Sequence, residues 1–246
     1  MRKFLAWLCV AAGLLAPIPA WAITLTSIGT ASSYANPPEA VLNVGAAVAI
    51  HSTIVITVYT NNTGTVSCSD TKSNAYVEIA GASKNAGGQA EVFLYVTNAM
   101  ALATSDTITC TATTGDGEYL DYAASYAAGP LVVDATGAAS GTSATPSITS
   151  SAPTASGELN VGFVVVPAGG ATITQPGGWA TPPNNNSVNA GVEYAGNLTN
   201  SGNLAQTYAP TLAASSAWLV GMASFSSSAP PSTGDVFPFI PTGPLP

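Results

Sequence analysis

Strand-length stretches with alternating side-chain character, each closed by Gly, Asn, Asp, Pro or Ser, recur from Ile23 to Phe225, and this pattern constrains the fold more than any other. In "STIVITVYT" Ile54, Ile56 and Val58 share one face and Val55, Thr57 and Tyr59 the other; "AEVFLYVT" opposes Val92, Leu94 and Val96 to Phe93 and Tyr95. Both stretches are apolar on both faces, which marks strands covered on two sides. Further strand patterns begin at Ile23, Ala40, Ser105, Tyr119, Glu158, Gly191 and Ser216. The segments "YTNNTGT", "GASKNAGGQ", "TTGDGEY", "PAGG" and "QPGGW" between them supply turn residues that tolerate positive φ. Outside the N-terminal segment no stretch holds an i, i+3, i+4, i+7 apolar stripe. The expectation is all-β: a two-sheet antiparallel β-sandwich, jelly-roll-like, of one domain over 23–226. The "LNVG" shared by Leu42–Gly45 and Leu159–Gly162 is short enough to arise by chance in so biased a composition, and no duplication is read from it.

The two ends differ from this middle. Arg2 and Lys3 precede an apolar run from Phe4 to Leu15, followed by Pro17, Pro19 and the small-residue pattern Ala20-Trp21-Ala22. That is the layout of a signal peptide over 1–22, and it predicts an exported chain, secreted, periplasmic or at the cell surface, with no membrane span after cleavage. Residues 227–246 carry Pro230, Pro231, Pro238, Pro241, Pro244 and Pro246, which cannot donate ladder hydrogen bonds, and so read as a proline-rich tail.

Charge excludes one class of partner. The chain has four Lys and Arg against twelve Asp and Glu; without Arg2 and Lys3, two minus twelve leaves a formal charge of −10. Lys72 and Lys84 alone cannot neutralise a phosphate backbone, so nucleic acid is not an expected partner. Charged residues make up only 7% of the chain, but apolar residues at 47% provide a core that a disordered chain would lack.

Cys9 falls in the signal segment, leaving Cys68 in "TVSCSDT" and Cys110 in "DTITCTA", both in strand patterns. In an exporting compartment a pair of cysteines reads as one disulfide. A metal or nucleophilic thiol would need partners that a chain with one histidine, His51, does not offer.

Chemistry-bearing candidates are few. Asp116, Glu118 and Asp121 in "TGDGEYLDY" form the densest acidic group, and carboxylates in a glycine-containing loop are the ligands Ca²⁺ takes. The group lacks the ligand series of an EF-hand, so solvated turn carboxylates are the plainer reading and no cofactor is expected beyond that possible Ca²⁺. Asp70 and Asn74 read as turn chemistry. Glu78 and Glu91 are acids in or beside strands with no spacing that pairs them for glycoside hydrolysis. His51 has no G-x-S-x-G elbow nearby. Trp179, in "QPGGWATPPNNN" with Asn184, Asn185 and Asn186, is the candidate sugar-binding aromatic, set against a tryptophan folded over the core end. Trp218 alternates with Val220 and Met222 and reads as core.

A wider resemblance rests on Asp70, Asn74 and Tyr76, on "EVFLYVTNAMALATSDTITCT", "GPLVVDATGAASGTSATPS", "GELNVGFVVV", on "QPGGW" ending at Trp179, and on "SAWLVGMASF". Together these resemble an unassigned family of jelly-roll-like β-sandwich domains in secreted bacterial and phage-associated surface proteins. The resemblance spans Ile23 to Phe225 and implies a fold rather than a reaction. The functional expectation is a secreted, non-enzymatic surface, adhesive or matrix module that meets a surface glycan or another protein. The alternative is a lectin-like carbohydrate-binding domain.

Overall fold

The computed structural model describes residues 23–35, 37–61, 63–113, 118–153, 157–167, 172–180, 192–199 and 204–227, with backbone alone for 118 and 192–199. Residues 1–22, expected as a signal peptide, most of the 227–246 segment, Asp116 and Asn184–Asn186 lie outside the described residues. Every described element is a strand, and every pairing is antiparallel. The antiparallel all-β sandwich is therefore found, with more layers than a minimal pair of sheets.

The middle sheet runs β1 (Leu25–Ala35), β9 (Glu118–Ala127), β3 (Thr53–Thr60), β7 (Gln89–Val96) and β5 (Val77–Glu78), with β6 (Lys84–Ala86) also on β7. On one face lies the three-stranded sheet β2 (Glu39–Asn43), β8 (Thr107–Ala112) and β4 (Val66–Asp70). On the other lies the four-stranded sheet β10 (Leu131–Ser143), β17 (Ser216–Ser227), β12 (Leu159–Val166) and β14 (Val192–Thr199). The short ladders β11 (Ile148–Thr149) with β15 (Thr207–Tyr208), and β13 (Ile173–Thr174) with β16 (Thr211–Leu212), complete the set.

Three hydrophobic clusters join the layers. Ile54, Ile56 and Val58 of β3 meet Ile108 and Cys110 of β8 in the first. Val55 and Tyr59, from the same strand's other face, join Phe93, Phe163 and Phe225 in the second. Val164, Val220 and Met222 pack outward against Ile173, Trp179 and Tyr208 in the third. This accounts for the doubly apolar sequence of β3, which is buried at every position. Each buried Val, Ile, Leu or Phe side chain contributes about 1.5–3 kcal/mol of transfer free energy.

Two glycine positions show how the layers are held. Gly87 and Gly88, at φ 63° and 80°, form the two-residue turn that returns β6 into β7, a conformation that suits glycine. Gly221 lies at a close approach between the four-stranded sheet and the middle one: a Cβ there would strike the Ala82 carbonyl oxygen and lie 2.7 Å from Glu91 Oε1. The two "LNVG" segments fall in unlike places, the first in an outer three-stranded sheet and the second in a strand buried on both faces.

Candidate functional site: a braced hydroxyl face

The three-stranded sheet turns its apolar side chains to the core and a row of hydroxyls outward. In β8, Ile108, Cys110 and Ala112 are buried while Thr107, Thr109 and Thr111 point away from them. In β4, Val66 and Cys68 point inward, and Ser67 and Ser69 are exposed. Register aligns Ser67 with Thr111 and Ser69 with Thr109. The Ser67 and Thr111 hydroxyls are 3.1 Å apart and hydrogen-bonded. The pattern continues past both strand ends: the Thr65 amide donates to Thr113 Oγ1 at 3.1 Å, and the Thr107 amide to Thr71 Oγ1 at 3.3 Å. The result is two ranks, Thr65, Ser67, Ser69, Thr71 and Thr113, Thr111, Thr109, Thr107. They repeat at roughly 6.6–6.8 Å along each strand and roughly 4.7–4.9 Å between strands. On the far side of β8, Glu39, Val41 and Asn43 of β2 extend the same outer face.

Beneath this face, Cys68 and Cys110 sit directly opposite each other in register and are joined as a disulfide. The cross-link prevents β4 from slipping on β8, and a one-residue slip would turn the Ser67 and Ser69 hydroxyls into the core and break their alignment with Thr111 and Thr109. At one end of the ranks Asp70 gathers its own turn, accepting from the Lys72 and Asn74 amides at 2.9 and 3.1 Å, from Asn74 Nδ2 at 2.8 Å and from the Tyr76 hydroxyl at 2.8 Å. Beside it, Asp106 accepts from the Ala103 amide and the Thr71 hydroxyl and pairs with Lys72 Nζ at 3.2 Å. Those contacts, the Ala103 amide first, hold the Asp106 carboxyl below its ordinary value.

The residues singled out for chemistry are dispersed. Trp179, weighed as a sugar-binding aromatic against a tryptophan folded over the core end, is 8% exposed and packs its ring against Tyr208, centroids 4.7 Å apart. It closes the third cluster, which is the core-end alternative. Trp218, read as core, packs against the third cluster and is half-buried there, with Nε1 donating to Ser143 Oγ at 3.0 Å and its ring over Gly141. Of the acidic group, Asp116 and the Glu118 side chain lie outside the described residues, and Asp121 is no solvated turn carboxylate: it is 1% exposed. Among the described residues no group of three or more His, Cys, Asp and Glu gathers to hold a metal.

Glu78 is exposed, whereas Glu91 is fully buried, so the two do not face each other across a cleft. His51 sits in a left-handed turn at φ 66°, exposed, with Nδ1 2.6 Å from Asn98 Oδ1. A shallow cleft of about 450 Å³ between the Ala86–Gln89 turn and β10 and β17 is lined by uncharged residues, among them Gln89, Ser140, Thr142 and Pro167.

Register also lines up buried acids. Asp121 of β9 and Glu91 of β7 both stand opposite Tyr59 of β3, on the face toward the four-stranded sheet. Neither carboxyl has a hydrogen-bond partner. Burial lifts Asp121 to about 6 and Glu91 well above the carboxylate range. The Gly221 amide lies near enough to favour the Glu91 anion but is not in hydrogen-bond geometry. Asp121 is lifted less because its neighbour on the other side is Ser32 of the edge strand β1.

No family model, no curated protein and no solved structure matches this chain. Function is therefore argued from the faces themselves.

Proposed function

We propose that this is an exported, non-enzymatic binding module that works at a surface, and that the hydroxyl face of β2, β8 and β4 is its contact surface. The observation that carries this reading is the two aligned ranks of four hydroxyls on strands locked by the Cys68–Cys110 bond. Each hydroxyl is both donor and acceptor, so a planar array of them exchanges hydrogen bonds with another hydroxyl-rich, uncharged surface without needing a counter-charge. The partner of that chemistry is a polysaccharide presented as an extended sheet or fibre. Preorganisation supports the same reading: the array loses little freedom on contact because backbone ladders and the disulfide already hold it. The lectin-like alternative built on Trp179 finds less support, since that ring is already packed on Tyr208.

The test is co-sedimentation of the full chain with insoluble polysaccharides of differing repeat, such as cellulose, chitin and peptidoglycan. Thr109→Lys places a hydrated charge at the centre of the ranks and is expected to abolish retention while leaving the melting curve unchanged. Retention by one of these matrices that survives Thr109→Lys, or retention by none, would refute the assignment.

A further inference from the structure

The borders of these sheets are guarded, with one exception. An edge strand offers unpaired backbone groups to any other strand, and charges, prolines or bulges along it discourage that pairing. Of the edge strands, β2 carries Glu39, β4 Asp70, β5 Glu78, β10 Asp134 and β14 Glu193, and β6, which also borders β7, carries Lys84. β10 is capped as well, since the Ser151 amide donates to the Thr136 carbonyl at 3.1 Å. β1, at the opposite border of the middle sheet from β5, is 11 residues long and contains neither a charged residue nor a proline. Its first half is closed by a bulge between Ser27 and Gly29 and by the Gly45 amide, which donates to the Ile28 carbonyl at 2.9 Å. From Thr30 to Ala35 the strand pairs with β9 alone, and among the described residues no backbone hydrogen bond reaches its outer edge.

This open stretch has the chemistry of a joint between like chains. Thr30, Ser32 and Tyr34 are exposed on one face, Tyr34 at 62%, and Ala31 on the other packs against the first cluster. A strand that pairs antiparallel with its own copy about a two-fold axis meets its own sequence, and residues directly opposite share a face, so the crossing falls on a residue. Centred on Ser32, the pairing sets Thr30 against Tyr34 of the second copy and Ala31 against Ser33. No charge enters it. That decides for a second copy in a chain of formal charge −8, because an edge holding an acid would set like charges against each other in the same arrangement. The contact is also closed: it uses the same edge of both copies and leaves none for a third.

We propose that two copies of this chain join through Thr30–Ala35 of β1, antiparallel about Ser32, so that one middle sheet runs through both. The axis stands normal to that sheet, so the three-stranded sheets of the two copies lie on the same side and their hydroxyl faces point the same way. The dimer thereby presents two contact surfaces to one fibre, and the second engages at the effective concentration set by the first. That consequence rests on the hydroxyl reading given above; the pairing itself does not, and it is measured without polysaccharide.

The experiment is sedimentation velocity of the full chain from about 1 to about 500 µM, for the wild type, Thr30→Lys/Tyr34→Lys and Thr30→Lys/Tyr34→Glu. Both variants change the same two exposed positions and lose the same contact of Tyr34 with Tyr119, so they differ only in the sign of one charge. Thermal melts at the lowest concentration check that both are folded. The wild type is expected to pass from monomer to dimer as concentration rises. The double-lysine variant sets like charges against each other twice across the axis and should associate at least about tenfold more weakly, while the lysine–glutamate variant sets opposite charges together and should recover the dimer. A wild type that stays monomeric throughout, a dimer equally strong in the double-lysine variant, or a lysine–glutamate variant that associates no better than the double-lysine one would each overturn the pairing. The first of these results would leave the edge to a strand from a different chain.

Discussion

Raising the pH from about 3.5 to about 7 is expected to weaken this fold, and Asp121→Asn is expected to remove the first part of that loss. Asp121 is 1% exposed between two sheets, and burial raises its carboxyl from 3.8 to about 6. Below 3.8 the acid is protonated in both folded and unfolded chains and costs nothing. Between 3.8 and about 6 the unfolded chain releases the proton and the folded chain keeps it, so the unfolded state binds fewer protons and stability falls as pH rises. At about 1.4 kcal/mol per pH unit, this window is worth on the order of 3 kcal/mol. Glu158, lifted to about 8, extends the decline above neutrality, and Glu91 acts in the same direction. Asp106 has the opposite sign, because its carboxyl is held below 3.8; the stability it contributes is lost as pH falls below that value, outside the Asp121 window. Denaturant melts across this range should show a falling midpoint with unchanged m-value. The slope between about pH 4 and 6 should flatten in Asp121→Asn by about 3 kcal/mol over the window. A midpoint that climbs with pH there, or a variant whose slope matches wild type, would show that Asp121 is ionised in the fold and that burial does not control it.

Replacing Cys68 and Cys110 together with Ser frees a loop with a sequence separation of 42 and should cost about 4 kcal/mol on the chain-entropy treatment, read as the difference in denaturation free energy between variant and oxidised wild type. A loss under about 1 kcal/mol would mean that residual structure already restricts the unfolded chain without the cross-link. Gly221→Ala should destabilise by about 1–3 kcal/mol, since its methyl group must displace the Ala82 carbonyl or Glu91; an unchanged melting temperature would place the two sheets further apart than described. Trp179→Ala should cost about 3–5 kcal/mol in stability by emptying the space above Tyr208, and a variant as stable as wild type would return Trp179 to the role of a displayed aromatic.

The strands were legible because period-two alternation is a local property: "STIVITVYT" and "AEVFLYVT" read as buried on both faces, and β3 is so throughout while β7 is so from Ala90 to Leu94 and half-buried at its end. The hydroxyl face was legible in part. Threonine at 107, 109, 111 and 113 is visible in the chain, as are Thr65, Ser67, Ser69 and Thr71, but their alignment depends on the register of two strands about 40 residues apart. A disulfide between the two strands implies that register, because Cys68 and Cys110 stand opposite each other between the paired hydroxyls. Alternation says which face a side chain takes, not how much of that face is covered. Trp218 shares its face with Val220 and Met222 yet sits at the strand end, where cover runs out, while Trp179 leaves a turn and folds down on Tyr208.

By itself the chain's order of residues determined an all-β, antiparallel, disulfide-linked body poor in cations, since alternation, turn residues, cysteine pairing and charge are written in consecutive or countable positions. Tertiary structure alone decided which acids are enclosed. Asp121 and Glu91 stand on either side of Tyr59, and Glu158 is buried beside β17, only because strands distant in sequence become neighbours in space. An acid's proton affinity is set by the solvent and charges around it, and that surrounding exists only once the sheets have stacked.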